Sequence, residues 1–206
     1  MTDTDPIVFI VDDDDSVRKA LTRLIKSVDL NVETFASADD FLQRESHKGP
    51  ACLVLDIRMP GLSGLDLQDE LVAAGRTVPI IFISAHGNIP LSVRAMKAGA
   101  VDFIEKPFED QTLLDAIYQS LKKDGQAKLE QAELREIKRR VDSLTPRERQ
   151  VFAHVVSGKL NKQIAFELGT SERTIKAHRA RVMKKMQAKS LAELIRLAEK
   201  VGSYLP

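Results

Sequence analysis

Five short apolar runs, Ile7–Val11, Val32–Phe35, Cys52–Leu55, Ile80–Ile83 and Val101–Ile104, punctuate the chain as far as Glu105. Three of them are continuously apolar, the pattern of strands covered on both faces rather than one. Segments of helical period lie between the runs. Ser16–Val28 sets Val17, Leu21, Leu24, Ile25 and Val28 on one face; Gly64–Ala73 offers Leu65, Leu67, Leu71 and Val72; Leu91–Ala98 offers Leu91, Val93, Ala95 and Met96. Ser37 with Asp40, and Ser63 with Asp66, have the spacing of capping boxes. Five strand–helix alternations predict an α/β fold, a doubly wound parallel sheet with right-handed crossovers. Such a sheet keeps its functional crevice beyond the carboxyl ends of the strands.

At those ends stand Asp12 and Asp13, Asp56, Ser84, and Glu105 leading into Lys106 and Pro107. Three carboxylates, a hydroxyl and an ammonium are thus expected in one crevice, although 94 residues separate Asp12 from Lys106. Clustered carboxylates repel and resist ionisation unless a cation neutralises them. An oxygen-only donor set with room for water suits Mg²⁺, and an ionised Asp beside it can accept a phosphoryl group as an acyl phosphate. Asp14 or Asp15 is read as the cap of the following helix, and Asp12 and Asp13 as the site.

The charge is unevenly placed. Through Asp124 there are 13 Lys/Arg against 21 Asp/Glu, and after it 18 against 9, within a net charge of +1. An acidic half joined to a basic half implies two domains with different partners, nucleic acid for the basic one. Between them, Lys122–Ser143 is dense in charge, carries no strand signal, and places Leu129, Leu134, Ile137 and Val141 near one stripe. A helical linker is expected there, with Gly125 as the break before it. The expected division is 1–122, 123–142 and 143–206.

The basic half reads as a small all-α bundle. Thr145-Pro-Arg-Glu148 combines an N-cap, a first-position proline and a capping-box Glu. Asn161 stands before a second helix, Lys162–Leu168, that Gly169 closes, Ser171 caps a third running to Met186, and Ser190-Leu-Ala-Glu193 boxes a fourth. Two helices joined by Gly169-Thr-Ser171 have helix-turn-helix spacing. The third helix buries Ile175, Val182 and Met186 and carries six Lys/Arg, which a DNA duplex rewards through counterion release. The longest apolar stretch, Val78–Ile83, is far short of the roughly 20 residues that span a bilayer. The polar opening Met1–Pro6 is unlike a secretory signal, and the lone Cys52 allows no internal disulfide. A soluble, cytoplasmic protein is expected, with no membrane partner and Cys52 packed in a buried strand.

The segments Val11-Asp-Asp-Asp14, Leu55-Asp-Ile-Arg-Met-Pro-Gly61, Ser84-Ala-His-Gly87 and Glu105-Lys-Pro-Phe108 resemble the receiver domain of two-component response regulators, a flavodoxin-like fold, over about residues 7–122. The resemblance implies Asp56 as phospho-acceptor. It also implies Mg²⁺ held by Asp12, Asp13, Asp56 and the backbone carbonyl of Arg58, Ser84 and Lys106 on the phosphoryl oxygens, and a cis peptide before Pro107. Ser84 stands where many relatives have Thr, and Phe103 where many have Tyr, so Phe103 can switch only by rotamer and packing; core packing accounts for it equally well. Leu144-Thr-Pro-Arg-Glu148, Asn161-Lys-Gln-Ile-Ala165 and Thr174-Ile-Lys-Ala-His178 resemble the LuxR-type output domain over about residues 143–202. This implies Lys176, Ala177 and Ala180 at base edges, and Lys162, Thr174, His178, Arg179 and Arg181 at or near phosphates, with simple packing an equal alternative for His178. Both halves together resemble FixJ/NarL-type regulators, closest to the FixJ branch through His86-Gly-Asn-Ile-Pro90 and Arg94–Phe103. The expected function is a phosphorylation-controlled transcription regulator, not a metabolic enzyme. A sensor histidine kinase, double-stranded DNA and RNA polymerase are its partners, and it forms a homodimer on phosphorylation around Leu91, Val93, Arg94, Met96 and Lys97. Two rivals are a small-molecule phosphatase, which lacks its second carboxylate at Arg58, and a DNA-binding protein whose receiver works without phosphorylation.

Overall fold

The computed structural model describes residues 4–85 and 89–202. Its elements run β1 (Ile7–Val11), α1 (Asp15–Lys26), β2 (Asn31–Phe35), α2 (Ala38–Gln43), β3 (Ala51–Asp56), α3 (Gly64–Ala73), β4 (Ile80–Ser84), α4 (Ile89–Lys97), β5 (Asp102–Glu105), α5 (Asp110–Asp142), α6 (Pro146–Val156), α7 (Asn161–Glu167), α8 (Glu172–Met186) and α9 (Leu191–Lys200). Two compact units divide the chain, Met1–Lys128 and Leu129–Pro206.

In the first unit the five strands form one parallel sheet in the order β2-β1-β3-β4-β5. The continuously apolar strands β1, β3 and β4 are the central ones and are buried throughout, while the edge strand β2 is only half-buried. Alternate side chains feed two cores: Phe9, Leu53, Leu55 and Phe82 pack with Phe41, Leu67 and Leu71 on one face. Val8, Ile10, Cys52, Val54 and Ile81 pack with Leu21, Ile25 and Ile117 on the other. Cys52 is buried, and burial pushes its thiol far up from its ordinary value. The chain winds one way from β1 to β2 and the other way from β1 to β3, so the topological switch point falls between β1 and β3.

Register then sets the site. Val11 pairs with Leu55, so Asp12 and Asp56, the next residue on each strand, lie side by side. Asp56 is level with Ile83 and Ile83 with Ile104, which leaves Ser84 and Lys106 one and two steps further out.

Helix α5 corrects the linker expectation. It continues through Gly125 from Asp110 to Asp142. A glycine inside a helix costs about 1 kcal/mol relative to alanine, but the turns around it are fastened to the unit. Asp124 Oδ2 accepts the Ala51 N–H at 2.8 Å and pairs with Lys128 at 2.8 Å, and Lys128 also donates to the carbonyls of His47 and Gly49. A side chain at 125 would approach Pro50 to 3.3 Å. Of the expected stripe, Ile137 and Val141 are buried and Leu134 half-buried, whereas Leu129 is exposed. Among the described residues no helix is long and apolar enough to cross a membrane.

The second unit packs the last turns of α5 with α6–α9 around Val151, Phe152, Ile164, Ile175, Val182 and Leu194. Both halves of the Thr145/Glu148 capping box form, and Ser171 and Ser190 cap α8 and α9. Two cap details differ from the sequence expectation. Leu160, not Asn161, is the cap residue of α7, with its N–H held by the Gln163 side chain at 2.8 Å. Glu193 accepts from Lys189, one residue before the cap. Gly169 closes α7 with a φ of 61°, a left-handed turn that a side chain would strain. Glu148 does more than cap: Lys185 reaches it at 2.6 Å, and that bond, with the one from the Thr145 N–H, holds its pKa down to about 2. A carboxyl depressed on folding stabilises above its unfolded pKa and loses that contribution as pH falls towards its folded one. We therefore expect Glu148→Gln to destabilise the unit fully at neutral pH, and the loss to shrink as pH drops from 4.5 towards about 2, read by thermal melting of both chains across that range.

Candidate functional site

Each acid reaches the crevice because its strand ends there. After β1 the chain turns at Asp13 into α1, whose N-cap is Asp14; its carboxylate accepts the Ser16 N–H at 2.8 Å. The expectation that left Asp14 and Asp15 open is thereby resolved. Asp12, 1% exposed, accepts the Asp14 N–H on Oδ1 at 2.9 Å. After β3, Asp56 Oδ2 accepts the Arg58 N–H at 2.7 Å, and Gly64 lies so close that a Cβ there would sit 2.2 Å from the Asp56 carbonyl oxygen. Only glycine permits α3 to begin so near this strand end.

Lys106 joins the two carboxylates. Its Nζ lies 3.0 Å from Asp12 Oδ2 and 3.0 Å from Asp56 Oδ1. Burial raises the Asp12 pKa against the opposing pull of the Asp14 N–H and Lys106. Burial also disfavours the Lys106 ammonium, but its bonds to Asp56 and Asp12 outweigh this and lift its pKa above the ordinary lysine value. The Lys106–Pro107 peptide is cis, as the resemblance implied. Ser84 is 2% exposed at the end of β4, and the carbonyl oxygen of its backbone accepts the Lys106 N–H at 2.8 Å. Phe103, half-buried on β5, lies with its ring centroid 6.5 Å from that of Phe82, the rings tilted by 36°.

The expected acids differ in burial. Asp13 is exposed, and among the described residues no three His, Cys, Asp or Glu side chains gather closely enough to hold a metal by themselves. Two buried carboxylates at one level still fit Mg²⁺, which takes one or two carboxylates and fills its octahedron with water. Sequence reasoning missed Arg18, whose guanidinium donates to the carbonyls of Asp12 and Asp13 at 2.7 and 2.9 Å; its place in the helix gave no sign that it reaches backwards. Of the proposed dimer face, Val93, Arg94, Met96 and Lys97 are exposed, Leu91 packs against the core, and Arg94 pairs with Asp69 at 3.0 Å. Ile89, 80% exposed, extends that face beyond the expected helix start. His86 and Gly87, quoted in the receiver motif, and Asn88 lie outside the described residues.

In the second unit α8 buries Ile175, Val182 and Met186 as expected and exposes Thr174, Lys176, Ala177, Ala180, Arg181 and Lys184. Lys162 is exposed on α7. Arg179 is half-buried and donates to Asn161 Oδ1 at 3.1 Å, so α7 aims it. His178 is half-buried, and its Nδ1 is enclosed without a hydrogen-bond partner. Lys185 is committed to Glu148 and the Ser143 carbonyl, so it is a structural cation rather than a free member of the basic face.

Residues 8–118 match the response regulator receiver domain family, and residues 142–198 match the LuxR family of bacterial regulatory proteins. Nodulation protein W of Bradyrhizobium diazoefficiens is 50% identical over 199 residues, 97% of this chain and 88% of that protein. The transcriptional regulatory protein FixJ of Azorhizobium caulinodans is 44% identical over 195 residues, 95% of this chain and 92% of that protein. The low-resolution structure of the response regulator StyR is 48% identical and superposes with a TM-score of 0.90, covering 96% of this chain and all of that one.

A carboxyl whose pKa rises on folding opposes folding at neutral pH, where it must stay ionised. Asp12→Asn is accordingly expected to raise the melting temperature at pH 7, and the gain to diminish in acid as Asp12 itself takes a proton; parallel melts of the two chains at pH 7 and pH 4 check this.

Proposed function

Because the chain belongs to the two-component response regulators that join a receiver domain to a LuxR-type DNA-binding domain, we propose that residues 1–122 accept a phosphoryl group on Asp56 and control the binding of residues 143–206 to DNA through the segment 123–142. The observation that carries this reading is the Lys106 ammonium, 3.0 Å from carboxylates that lie 50 and 94 residues away in sequence. Such a cation is placed where negative charge develops on a transferring phosphoryl group.

A phosphohistidine on a sensor histidine kinase is the donor. One Asp56 carboxylate oxygen bonds to phosphorus as the P–N bond breaks, and the released imidazole nitrogen keeps the electron pair and takes a proton. Asp12, Asp13, Asp56 and the Arg58 carbonyl would hold Mg²⁺, which when bound neutralises phosphoryl oxygens during transfer. Lys106 pairs with one of those oxygens, and the Ser84 hydroxyl bonds another. Withdrawal of Ser84 towards the new charge leaves room for Phe103 to repack on β5, altering the face of α4 and β5. That face, with Val93, Arg94, Met96 and Lys97, then pairs with a second copy; Leu91 supports it from the core side. Shifting such an equilibrium from 1:99 to 99:1 takes about 5.5 kcal/mol of differential stabilisation.

In the DNA-bound dimer α8 enters the major groove, with half-sites about one helical turn apart. Lys176, Ala177 and Ala180 face base edges, the alanines against thymine methyl groups. Lys162, Thr174, Arg179 and Arg181 lie at phosphates, and His178 packs beneath them. RNA polymerase is the partner at the promoter. The phosphatase alternative needs a carboxylate at the exposed Arg58.

In sedimentation with acetyl phosphate and Mg²⁺, the wild-type chain is expected to shift from monomer to dimer and to gain affinity for operator DNA. Asp56→Asn is expected to do neither while keeping its melting transition; equal DNA affinity with and without the donor would contradict the reading. On DNA, Lys176→Ala should lose about 1–3 kcal/mol of discrimination at one base pair, and Arg179→Ala should weaken binding to all sequences and flatten the salt slope by about one unit. Titrations at several salt concentrations separate the two.

A further inference from the structure

We propose that Arg18 is a positioning residue for the metal-binding acids of the receiver, an inference that rests on the reading of Asp12 and Asp13 as Mg²⁺ ligands. Arg18 lies one turn into α1, and its side chain is 15% exposed. Helical side chains lean towards the amino terminus of their helix, and this one runs back to the strand-to-helix turn. Its Nη1 donates to the carbonyl oxygens of Asp12 at 2.7 Å and Asp13 at 2.9 Å, while Nη2 bonds Asp15 Oδ1 at 3.2 Å. A single nitrogen thus ties two consecutive carbonyls, and the second nitrogen, anchored on the acid that starts the helix, aims the first.

The consequence follows from backbone geometry. Fixing the carbonyls of residues 12 and 13 fixes the peptide planes on either side of Asp13, and with them the direction in which the Asp13 carboxylate leaves the chain; the first of these planes also limits how Asp12 can turn. Asp12 is further held by the Asp14 N–H and Lys106, but Asp13 is exposed, and Arg18 is what orders its backbone. Residues that orient metal ligands in this way typically account for about 10- to 100-fold in metal affinity.

Charge and position predict opposite signs here. A guanidinium beside a divalent-cation site repels the cation, so if only its charge mattered, removing it would tighten Mg²⁺ binding. If it positions the ligands, removing it weakens binding. Lys19 supplies the control, since it is the next cation on α1 and pairs with Asp15 at 2.6 Å without any bond to the turn carbonyls.

The test is calorimetric titration of the full, unphosphorylated chain with Mg²⁺, beside the Mg²⁺ dependence of labelling by acetyl phosphate. Arg18→Met is expected to bind Mg²⁺ about tenfold more weakly, and to recover the wild-type labelling rate when Mg²⁺ is raised to saturation. Lys19→Met is expected to bind Mg²⁺ as well as the wild type or more tightly. Arg18→Lys keeps the charge and the fold should Arg18→Met unfold; lacking the second nitrogen, it too is expected to bind several-fold more weakly. Unchanged or tighter Mg²⁺ binding by either Arg18 variant overturns the proposal while leaving the phosphorylation reading intact. A wild-type chain that takes up no Mg²⁺ overturns both.

Discussion

Two carboxylates at the ends of neighbouring strands, bridged by one ammonium, are the interaction on which the first unit turns. Burying an unpaired carboxylate costs several kcal/mol, and burying two at one level of a sheet costs more. The fold lowers that cost because Lys106 arrives from the far edge strand and pairs with both, at 3.0 Å each, which leaves one negative charge in excess. A parallel sheet makes the meeting possible: every strand ends on the same side, and winding in opposite senses from β1 opens a gap there that no crossover helix covers. Burial leaves the Asp12 pKa raised in spite of Lys106, so this carboxylate costs the folded unit stability at neutral pH.

Much of this was legible in the sequence because the relevant patterns are local. Continuous apolar runs identified the central strands, and the residue following each run was by construction the residue at the crevice. The register of β1 on β3 supplied what the sequence lacked, the reason Asp12 and Asp56 are level with one another. Gly125 was misread because a helix-breaking residue was judged without its surroundings; the Asp124 and Lys128 bonds that hold the helix through it reach the start of β3 and the loop before it, and leave no periodic trace. Leu160 was missed as a cap because its side chain has no acceptor; what marks it is Gln163 at the third helical position, whose side chain accepts the Leu160 N–H.

Side-chain commitments were the least visible layer. Six Lys/Arg on α8 look equivalent in a helical projection, yet Lys185 is spent on Glu148 and Arg179 is steered by Asn161, leaving Lys176, Arg181 and Lys184 among the exposed ones. On α4 the apolar stripe divides between the core, which takes Leu91, and the surface, which keeps Ile89, Val93 and Met96. Arg18 belongs to the same layer: spacing along α1 shows a cation near acids, and only the structure shows that it binds the backbone carbonyls of Asp12 and Asp13 besides the Asp15 carboxylate.

Phosphorylation at Asp56 would put a new bond on one carboxylate, and that bond can be located chemically. The full chain, treated with acetyl phosphate and Mg²⁺ and then reduced with borohydride, converts any aspartyl phosphate to homoserine, which peptide mass spectrometry assigns to a residue. Conversion at Asp56, with Asp12 and Asp13 untouched, is the predicted result. Conversion at another carboxylate, or none in a folded sample, would contradict it.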